Sequence, residues 1–250
     1  MPTKYLLLWL EAPLQSWGAD SKFGRRDTMK FPTKSGVTGL LFCALGASGE
    51  QRELLAKLSP LKQTVLSFVL ASKSSTDVNK SFRSETLLRD FHMVGSGYDA
   101  KNDWETFHIP MTWDAEKNKP GKANNADGSR GGTKLTYRYY LQDAKFAVIV
   151  EVPTELAATF ENALKNPVYD LYLGRKNCVP TDFIFRNTFD TEADAINEAI
   201  NIAKKKELYE NFRVIDGEND LGNPITLNDV PVQFGEIKKY RDRRVTVIPT

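Results

Sequence analysis

The chain has 250 residues, with 34 basic and 32 acidic side chains and a formal net charge of +2. Hydrophobic residues make up 41% and charged residues 26%, which are ordinary values for a globular protein and exclude disorder as its main state. No apolar run reaches the ~18 residues of a membrane span. The apolar start at Met1–Leu10 is too short for a signal peptide, so we expect a cytoplasmic protein with no membrane partner.

Cysteine and histidine are scarce in this chain. It contains only Cys43, Cys178, His92 and His108. A structural zinc site usually takes four Cys or His ligands at tight spacing, which these residues do not provide. We therefore expect no metal site and no cofactor, and a mechanism that needs paired histidines is nearly excluded.

The basic residues are unevenly distributed along the chain. Five cations and one acid lie between Lys22 and Lys34, and the same ratio recurs between Lys238 and Arg244. Each cluster alone is compatible with a solvated surface. Because local positive patches attract polyanions even on a nearly neutral protein, two such clusters together favour a polyanionic partner.

The first part of the chain predicts a strand, a loop, two helices and a second strand. The apolar run Lys4–Leu10 has the length of a buried strand, and the polar loop after it extends to Pro32. A helix is predicted to begin at Thr33–Ser35, because a hydroxyl cap precedes apolar residues at helical spacing. A short helix over Gln51–Leu58 and a strand over Thr64–Ala71 follow.

A long polar stretch, Ser72 to Lys134, separates the two halves of the pattern. Arg83–Val94 and Lys134–Leu141 are predicted to be the two arms of a hairpin, and residues 114–132, rich in Asn, Gly and Lys, its mobile tip. Loops of this length in compact domains are usually functional or disordered.

The remaining elements complete an α+β pattern. They are a strand over Lys145–Val152, a helix from Pro153, a strand near Phe183–Arg186, a helix over Asp190–Tyr209, and short strands near Val230–Phe234 and Arg244–Ile248. The order strand–helix–strand, insertion, strand–helix–strand is that of a ferredoxin-like (RRM-like) domain, which RNA-recognition modules often use. We predict this domain over residues 1–190, with an insertion at about 72–134. A helix and a small β-rich region are predicted over residues 191–250.

Several segments place cations, aromatic rings and free backbone groups where an RNA would need them. A helix start favours anions, and rings beside cations hold splayed nucleotides. Plainer interpretations remain open: a tryptophan that plugs the core, basic surface turns, an ordinary alternating strand and a structural histidine. The candidate RNA-binding residues are Gln15, Trp17, Arg25, Arg26, Lys34, Ser35, Arg89, His92, Tyr137, Arg138, Arg175 and Lys176.

Longer strings of residues resemble a known family. LLLWLEAPLQSWG and FPTKSGVTGLL are followed by LLRDFHMV, KLTYRYYLQDAKFAVIV and VYDLYLGRKNCVP. These strings resemble, in the same order, those of the Cas-five family, in particular the CasD subunits of type I-E CRISPR Cascade complexes. The closing segments DVPVQFG and KKYRDRRVTV are also similar to the end of such subunits.

The resemblance implies both a fold and a role. Members have a ferredoxin-like domain with a protruding thumb, here residues 72–134, and a small C-terminal β region. They cap the CasC backbone filament and hold the 5′ handle of the CRISPR RNA, and the CasA large subunit docks nearby. Target DNA is read through guide pairing in the complex. In that role Gln15 would contact base edges, and Trp17 and Tyr137 would stack on bases. The residues that would contact the phosphates are Arg25, Arg26, Lys34, Arg175 and Lys176.

Two alternatives remain. Relatives in type I-C systems cleave precursor CRISPR RNA without a metal, and His92 with Lys34 or a tyrosine fits that scheme. The motifs here match the type I-E subunit, whose complex has a separate CasE nuclease, so we expect no catalysis. A free-standing RNA-binding module is the other alternative, although its apolar segments would be hard for a monomer to cover.

Overall fold

A computed structural model describes residues 2–18, 21, 24–70, 87–94, 113–114, 119–120 and 134–250. The fold is α+β, with mostly antiparallel sheets and few helices, as predicted. The chain forms two compact units. The first contains Met1–Ala19, Thr28–Leu88 and Tyr140–Thr250, and the second contains Asp20–Asp27 and Arg89–Tyr139. None of the helices in the described ranges combines the length and apolar character that crossing a membrane requires.

The helices and strands are distributed over both units. In chain order they are β1 (Thr3–Glu11), β2 (Leu14–Gln15), β3 (Trp17–Gly18), β4 (Arg25–Arg26), β5 (Thr28–Met29), α1 (Lys34–Leu45), α2 (Arg52–Leu58), β6 (Gln63–Leu70), β7 (Leu87–Val94), β8 (Trp113–Asp114), β9 (Lys119–Pro120), β10 (Lys134–Gln142), β11 (Lys145–Pro153), α3 (Thr154–Lys165), β12 (Phe185–Phe189), α4 (Glu192–Lys205), β13 (Leu208–Asp216), β14 (Asn223–Gln233) and β15 (Lys239–Pro249).

The first unit is built on a seven-stranded antiparallel sheet in the order β12-β1-β11-β6-β13-β15-β14. The central part of strand β1, Leu6–Leu10, is entirely apolar because both of its faces are covered. Leu6, Leu8 and Leu10 belong to the larger core with α1 and α3, whereas Leu7 and Trp9 belong to a smaller core under α4. A strand buried on both faces loses the usual polar alternation, which explains the run LLLWL.

Helix α1 begins and ends where its sequence predicts. The Thr33 hydroxyl accepts a hydrogen bond from the backbone N–H of Gly36 at 3.3 Å and caps the first turn, and Gly46 ends the helix. The buried face of α1, which includes Val37 and Leu41, packs on the main sheet within the larger core.

The C-terminal part differs from the expectation in one element. The pattern predicts a helix up to Tyr209, but α4 ends at Lys205 and Leu208–Asp216 form strand β13. Glu207 has a left-handed backbone (φ 56), which turns the chain back toward the sheet. Pairing of β13 with β6 outweighs the local helix propensity, because β structure depends on its tertiary neighbours. The C-terminal strands β13, β15 and β14 continue the main sheet.

The predicted hairpin arms do pair, since β7 lies beside β10. The two short strands β8 and β9 also pair with each other. The rest of the expected thumb, 72–134, and of its tip, 114–132, lies outside the described residues. The thumb assignment therefore stays a prediction.

A buried ionic network connects α1 to the C-terminal hairpin. The backbone N–H of Lys34 donates to the carboxylate of Asp229 at 2.7 Å. Arg243 on β15 donates to both oxygens of that carboxylate, at 2.7 and 2.8 Å, and also binds Asp216 at the end of β13. The Lys34 ammonium lies 3.9 Å from the Asp216 carboxylate. Two cations and two carboxylates therefore neutralise one another inside the first unit.

We expect Asp229→Ala to destabilise the protein strongly. Arg243 would lose its bidentate partner and the first N–H of α1 its acceptor. Removing one member of a buried ion pair costs about 3–5 kcal/mol. The free energy of unfolding from urea denaturation should fall by about that amount. Asp242→Ala, which removes an exposed carboxylate from the same hairpin, is the control and should change it by less than ~1 kcal/mol. Equal effects of the two substitutions would contradict a central role for the network.

Candidate functional site

An exposed group of arginine and aromatic side chains lies in the second unit, on β4, β7 and β10. We refer to Arg25, Arg89, Phe91, Tyr137 and Tyr139 as the Arg–aromatic cluster. Strand β4 pairs with β10 in parallel, with Arg25 opposite Tyr137, and β10 also pairs with β7. Because alternate residues of a strand share a face, Arg89 lies beside Phe91 and Tyr137 beside Tyr139.

Cations stand over the rings of this cluster. The guanidinium of Arg89 lies 5.5 Å from the centre of the Tyr137 ring, and that of Arg25 lies 4.9 Å from the Tyr139 ring. Phe91 and Tyr137 are in contact, with ring centres 5.4 Å apart, yet 50% and 40% of their surfaces remain exposed. Exposed rings flanked by guanidinium groups match the platforms on which proteins stack unpaired bases.

Acidic and basic neighbours modify the edge of the cluster. Arg25 also donates to Asp27 at 2.8 Å, and the Asp27 carboxylate raises the pKa of the Arg25 guanidinium. Arg26 is exposed and lies opposite the half-buried Arg138 in the β4–β10 ladder. Because successive residues of a strand point to opposite faces, Arg26 and Arg138 place further positive charge on the face of these strands opposite Tyr137 and Tyr139.

His92 lies on the other face of β7 from Arg89 and Phe91, because it is an odd number of residues away from both. Its Nε2 donates to the carboxylate of Asp90 at 2.5 Å. His92 therefore lies on the opposite face from Phe91, whose ring contacts Tyr137, although the sequence predicts that His92 and Tyr137 both bind RNA. Among the residues that the structure describes, no three His, Cys, Asp or Glu side chains gather closely enough to hold a metal ion.

In the first unit, the turn at Leu173–Lys176 lies against the loop that follows β1. The backbone N–H of Ser16 donates to the carbonyl of Leu173 at 3.0 Å. Gly174 has a φ of 105°, and a Cβ at this position would lie 1.7 Å from the Ser16 carbonyl oxygen. Only glycine fits here, so the glycine sets the path of the basic residues that follow.

The basic residues of this turn have different surroundings. The guanidinium of Arg175 lies 4.6 Å from the centre of the Tyr140 ring, which is itself buried. Lys176 is exposed. The aromatic contact orients Arg175 while Lys176 remains in solvent, so the turn presents positive charge on the surface of the first unit.

Gln15 and Trp17 are buried, which corrects the expectation that they contact bases. The Gln15 amide donates to the carbonyls of Leu10 at 3.1 Å and Ala144 at 2.7 Å, and its oxygen accepts from the Trp17 indole at 3.1 Å. The Trp17 ring packs closely on Gly36. Both side chains hold the loop to the core, and neither leaves a surface for a base.

Lys34 and Ser35 also differ from their expected role at a helix anion site. Asp229 already occupies the start of α1, and the Lys34 ammonium donates to the carbonyls of Ser59 and Leu61. Burial lowers the pKa of Lys34. Ser35 is half-buried, with its hydroxyl 3.5 Å from that of Thr33. A phosphate would have to displace a carboxylate that Arg243 also binds.

Phe91 and Tyr139 were absent from the residues predicted to bind RNA. Each stands two residues from a predicted one, Phe91 from Arg89 and Tyr139 from Tyr137. Because residues i and i+2 of a strand share a face, Arg89 and Tyr137 identify Phe91 and Tyr139 as their neighbours from the sequence.

Comparisons with known proteins agree with the sequence pattern. The chain matches the family described as CRISPR-associated protein (Cas_Cas5) over residues 5–246. It is 30% identical over 187 residues to the CRISPR system Cascade subunit CasD of Escherichia coli (strain K12), and the match covers 74% of this chain and 70% of that protein.

Two solved structures are similar along nearly the whole chain. A chain of a CRISPR RNA-guided surveillance complex has a TM-score of 0.66 and 28% identity, with coverage of 98% of this chain and 90% of that one. A chain described as a Cas protein has a TM-score of 0.51 and 25% identity, with coverage of 98% and 95%.

We expect Gly174→Ala to lower the stability of the first unit. A left-handed backbone is strained for alanine by about 1–3 kcal/mol, and the overlap with the Ser16 carbonyl forces the turn to move. Thermal unfolding should show a lower midpoint than the wild type. Gly18→Ala, on β3, is the control because an added Cβ there meets nothing within 4 Å. An unchanged midpoint for Gly174→Ala would show that the turn does not need glycine.

Proposed function

The chain belongs to the CRISPR-associated Cas5 family, and from this premise we propose that it is a CasD-like Cascade subunit that holds the 5′ handle of CRISPR RNA. The relative with that name matches nearly three quarters of the chain, and a surveillance-complex chain shares its fold. The observation that carries the proposal is the Arg–aromatic cluster.

The cluster offers what an unpaired RNA strand requires. Phe91 and Tyr137 supply exposed ring faces for bases, and Arg89 and Arg25 supply guanidinium groups beside them for phosphates. Arg26 and Arg138 add charge on the opposite face of the same pair of strands. We assign the handle contacts to these side chains in place of the buried Gln15, Trp17 and Lys34.

The turn at Leu173–Lys176 supplies a separate contact in the first unit. Arg175 is held over Tyr140 and so loses little side-chain freedom when it binds a phosphate. Lys176 adds an exposed ammonium. We propose that both residues contact the RNA backbone without reading its bases.

The strand order supports a ferredoxin-like, RRM-like module within the main sheet. Strands β12, β1, β11 and β6 are neighbours in that order, and α1 and α3 connect β1 to β6 and β11 to β12. The insertion between β6 and β11 would then be the thumb, and residues 1–190 the RNA-binding domain. Residues 191–250 would be its C-terminal β-rich extension.

The proposed role places the protein in a cytoplasmic ribonucleoprotein complex. It would cap a filament of CasC subunits, dock beside CasA, and take part in antiviral DNA targeting through the guide RNA. Sequence recognition of the target DNA would then come from base pairing and not from this subunit.

The subunit would hold RNA without cleaving it. A metal-independent nuclease needs a base near a 2′-hydroxyl and a cation near the leaving group. The Lys34 ammonium, considered for the second role, is buried among carbonyl groups and faces Asp216. His92 is bound to Asp90 and shares a strand face with no residue of the Arg–aromatic cluster on β7.

We expect Tyr137→Leu, alone and with Arg89→Ala, to weaken binding of the RNA handle in the assembled complex. Base stacking on an aromatic ring contributes about 1–3 kcal/mol, so Tyr137→Leu should raise the dissociation constant about 5- to 150-fold. Removing Arg89 as well should lower the salt slope by about 0.7 if it contacts one phosphate. Filter binding across a salt series measures both quantities.

The matched control for this pair is Tyr169→Leu with Lys204→Ala. Both control residues are exposed in the first unit and outside the proposed contacts, and the change in charge is the same. Equal losses in the control and in the cluster variant would refute the assignment of the handle to the cluster.

We also expect the purified protein to leave a labelled CRISPR repeat hairpin intact, with or without a chelator. The reason is that the Lys34 ammonium is enclosed by carbonyl groups and His92 is bound to the Asp90 carboxylate. Denaturing gel electrophoresis after long incubation provides the measurement. Site-specific cleavage that is lost in His92→Ala would establish the nuclease alternative instead.

A further inference from the structure

A cleft of about 520 Å³ lies in the first unit between α2 and the β14–β15 hairpin. Arg52, Lys239 and Arg241 line it with positive charge, and Ala56, Pro60 and Val232 contribute apolar surface. None of these residues belongs to the handle contacts proposed above. Two residues of the basic run Lys238–Arg244 therefore line a cleft that has no role in the proposed function.

The two cations on β15 remain available to a ligand. Lys239, Arg241 and Arg243 alternate along the strand and share a face, about 7 Å apart from one to the next. Arg243 is neutralised by Asp229 and Asp216. Within the described ranges, no carboxylate forms an ion pair with Lys239 or Arg241. Arg243 thus belongs to the ionic network, whereas Lys239 and Arg241 line the cleft.

Arg52, the remaining cation of the cleft lining, contributes more weakly. Arg52 pairs with Glu50 at 2.8 Å, but both side chains are exposed, and exposed pairs exchange readily with solvent and ligands. A cleft whose net charge is positive concentrates field lines and raises the local concentration of anions. The lining therefore selects an anionic ligand.

Hydrogen bonds connect the two walls of the cleft. The Ser59 hydroxyl, just after α2, donates to the Pro231 carbonyl of β14 at 2.6 Å. The Gln233 amide donates to the Glu50 carboxylate at 3.1 Å and to the Ile237 carbonyl at 2.8 Å. The bonds from Ser59 and Gln233 attach the segments that flank α2 to β14, so the backbone that carries the cations is in place before a ligand arrives.

The chemistry of the lining favours the backbone of a nucleic acid. Cations at every second residue of a strand suit an anion that repeats along a chain, as phosphates do. The described lining contains no aromatic ring on which a base would stack. We propose that this cleft binds the phosphodiester backbone of RNA or DNA independently of sequence, as a second nucleic-acid contact of the subunit.

The test measures binding of the purified full chain to three fluorescein-labelled probes of mixed sequence: single-stranded RNA, single-stranded DNA and duplex DNA. Lys239→Ala with Arg241→Ala should weaken binding of at least one probe on the order of ten-fold at ~0.1 M salt. The salt slope should fall by about 1.4 for single strands, or about 1.8 for a duplex. The probe with the greatest loss identifies the source of the phosphates.

Two matched variants separate the cleft from general charge. Lys238→Ala with Arg244→Ala removes the same charge from the same segment outside the cleft lining and should change the affinity about two-fold or less. Lys239→Arg with Arg241→Lys keeps both cations and should retain binding. The four residues Lys238, Lys239, Arg241 and Arg244 are all exposed, so urea denaturation should give an unchanged free energy of unfolding for all variants.

The cleft is also tested apart from the handle contacts. In a chain that carries Arg89→Ala and Tyr137→Leu, removal of Lys239 and Arg241 should still produce the further ten-fold loss. Unchanged binding of all three probes, or equal losses in the Lys238/Arg244 variant, would overturn the proposal. So would binding of labelled poly-glutamate that depends on Lys239 and Arg241 as strongly as the nucleic acids do, because the cleft would then be a docking surface for an acidic protein segment.

Discussion

The Asp229 carboxylate binds two parts of the first unit at once. It accepts the first N–H of α1 and both donors of the Arg243 fork, and Arg243 in turn reaches Asp216 at the end of β13. A buried ion pair adds little stability over apolar packing, but it tolerates no missing partner. The network therefore joins the β14–β15 hairpin to the start of α1, while pairing with β13 holds the hairpin in the main sheet.

Burial divides the cations of this protein into two classes. Lys34 and Arg243 are enclosed with carboxylates and carbonyls, so they stabilise the fold and are not presented to RNA. Lys239 and Lys176 stand at the surface, where an ammonium binds a phosphate at little desolvation cost. A count of basic residues does not separate these classes, because both occur in the same short runs of sequence.

The end of β10 shows how one run of aromatic residues serves two purposes. Tyr140 is buried in the core of the first unit and carries Arg175 over its ring, whereas Tyr137, in the second unit, keeps an exposed face beside Arg89. Stacking platforms need such exposure, whereas the rings of Trp9, Trp17 and Phe146 in the first unit are buried. The contrast within four residues supports a binding role for the outer rings.

The sequence by itself determined the family, the α+β class and the helix starts, because capping and apolar periodicity act over a few residues. It also determined that Arg89 and Tyr137 combine charge with aromatic surface. Tertiary structure alone decided that Leu208–Asp216 pair with β6, that Gln15 and Trp17 turn inward, and that Asp229 fills the start of α1. Leu208 pairs with Leu70, Gln15 donates to Ala144, and Lys34 donates to Asp229, each across more than 100 residues. A short sequence pattern contains no information about which distant group will satisfy a hydrogen bond or a charge.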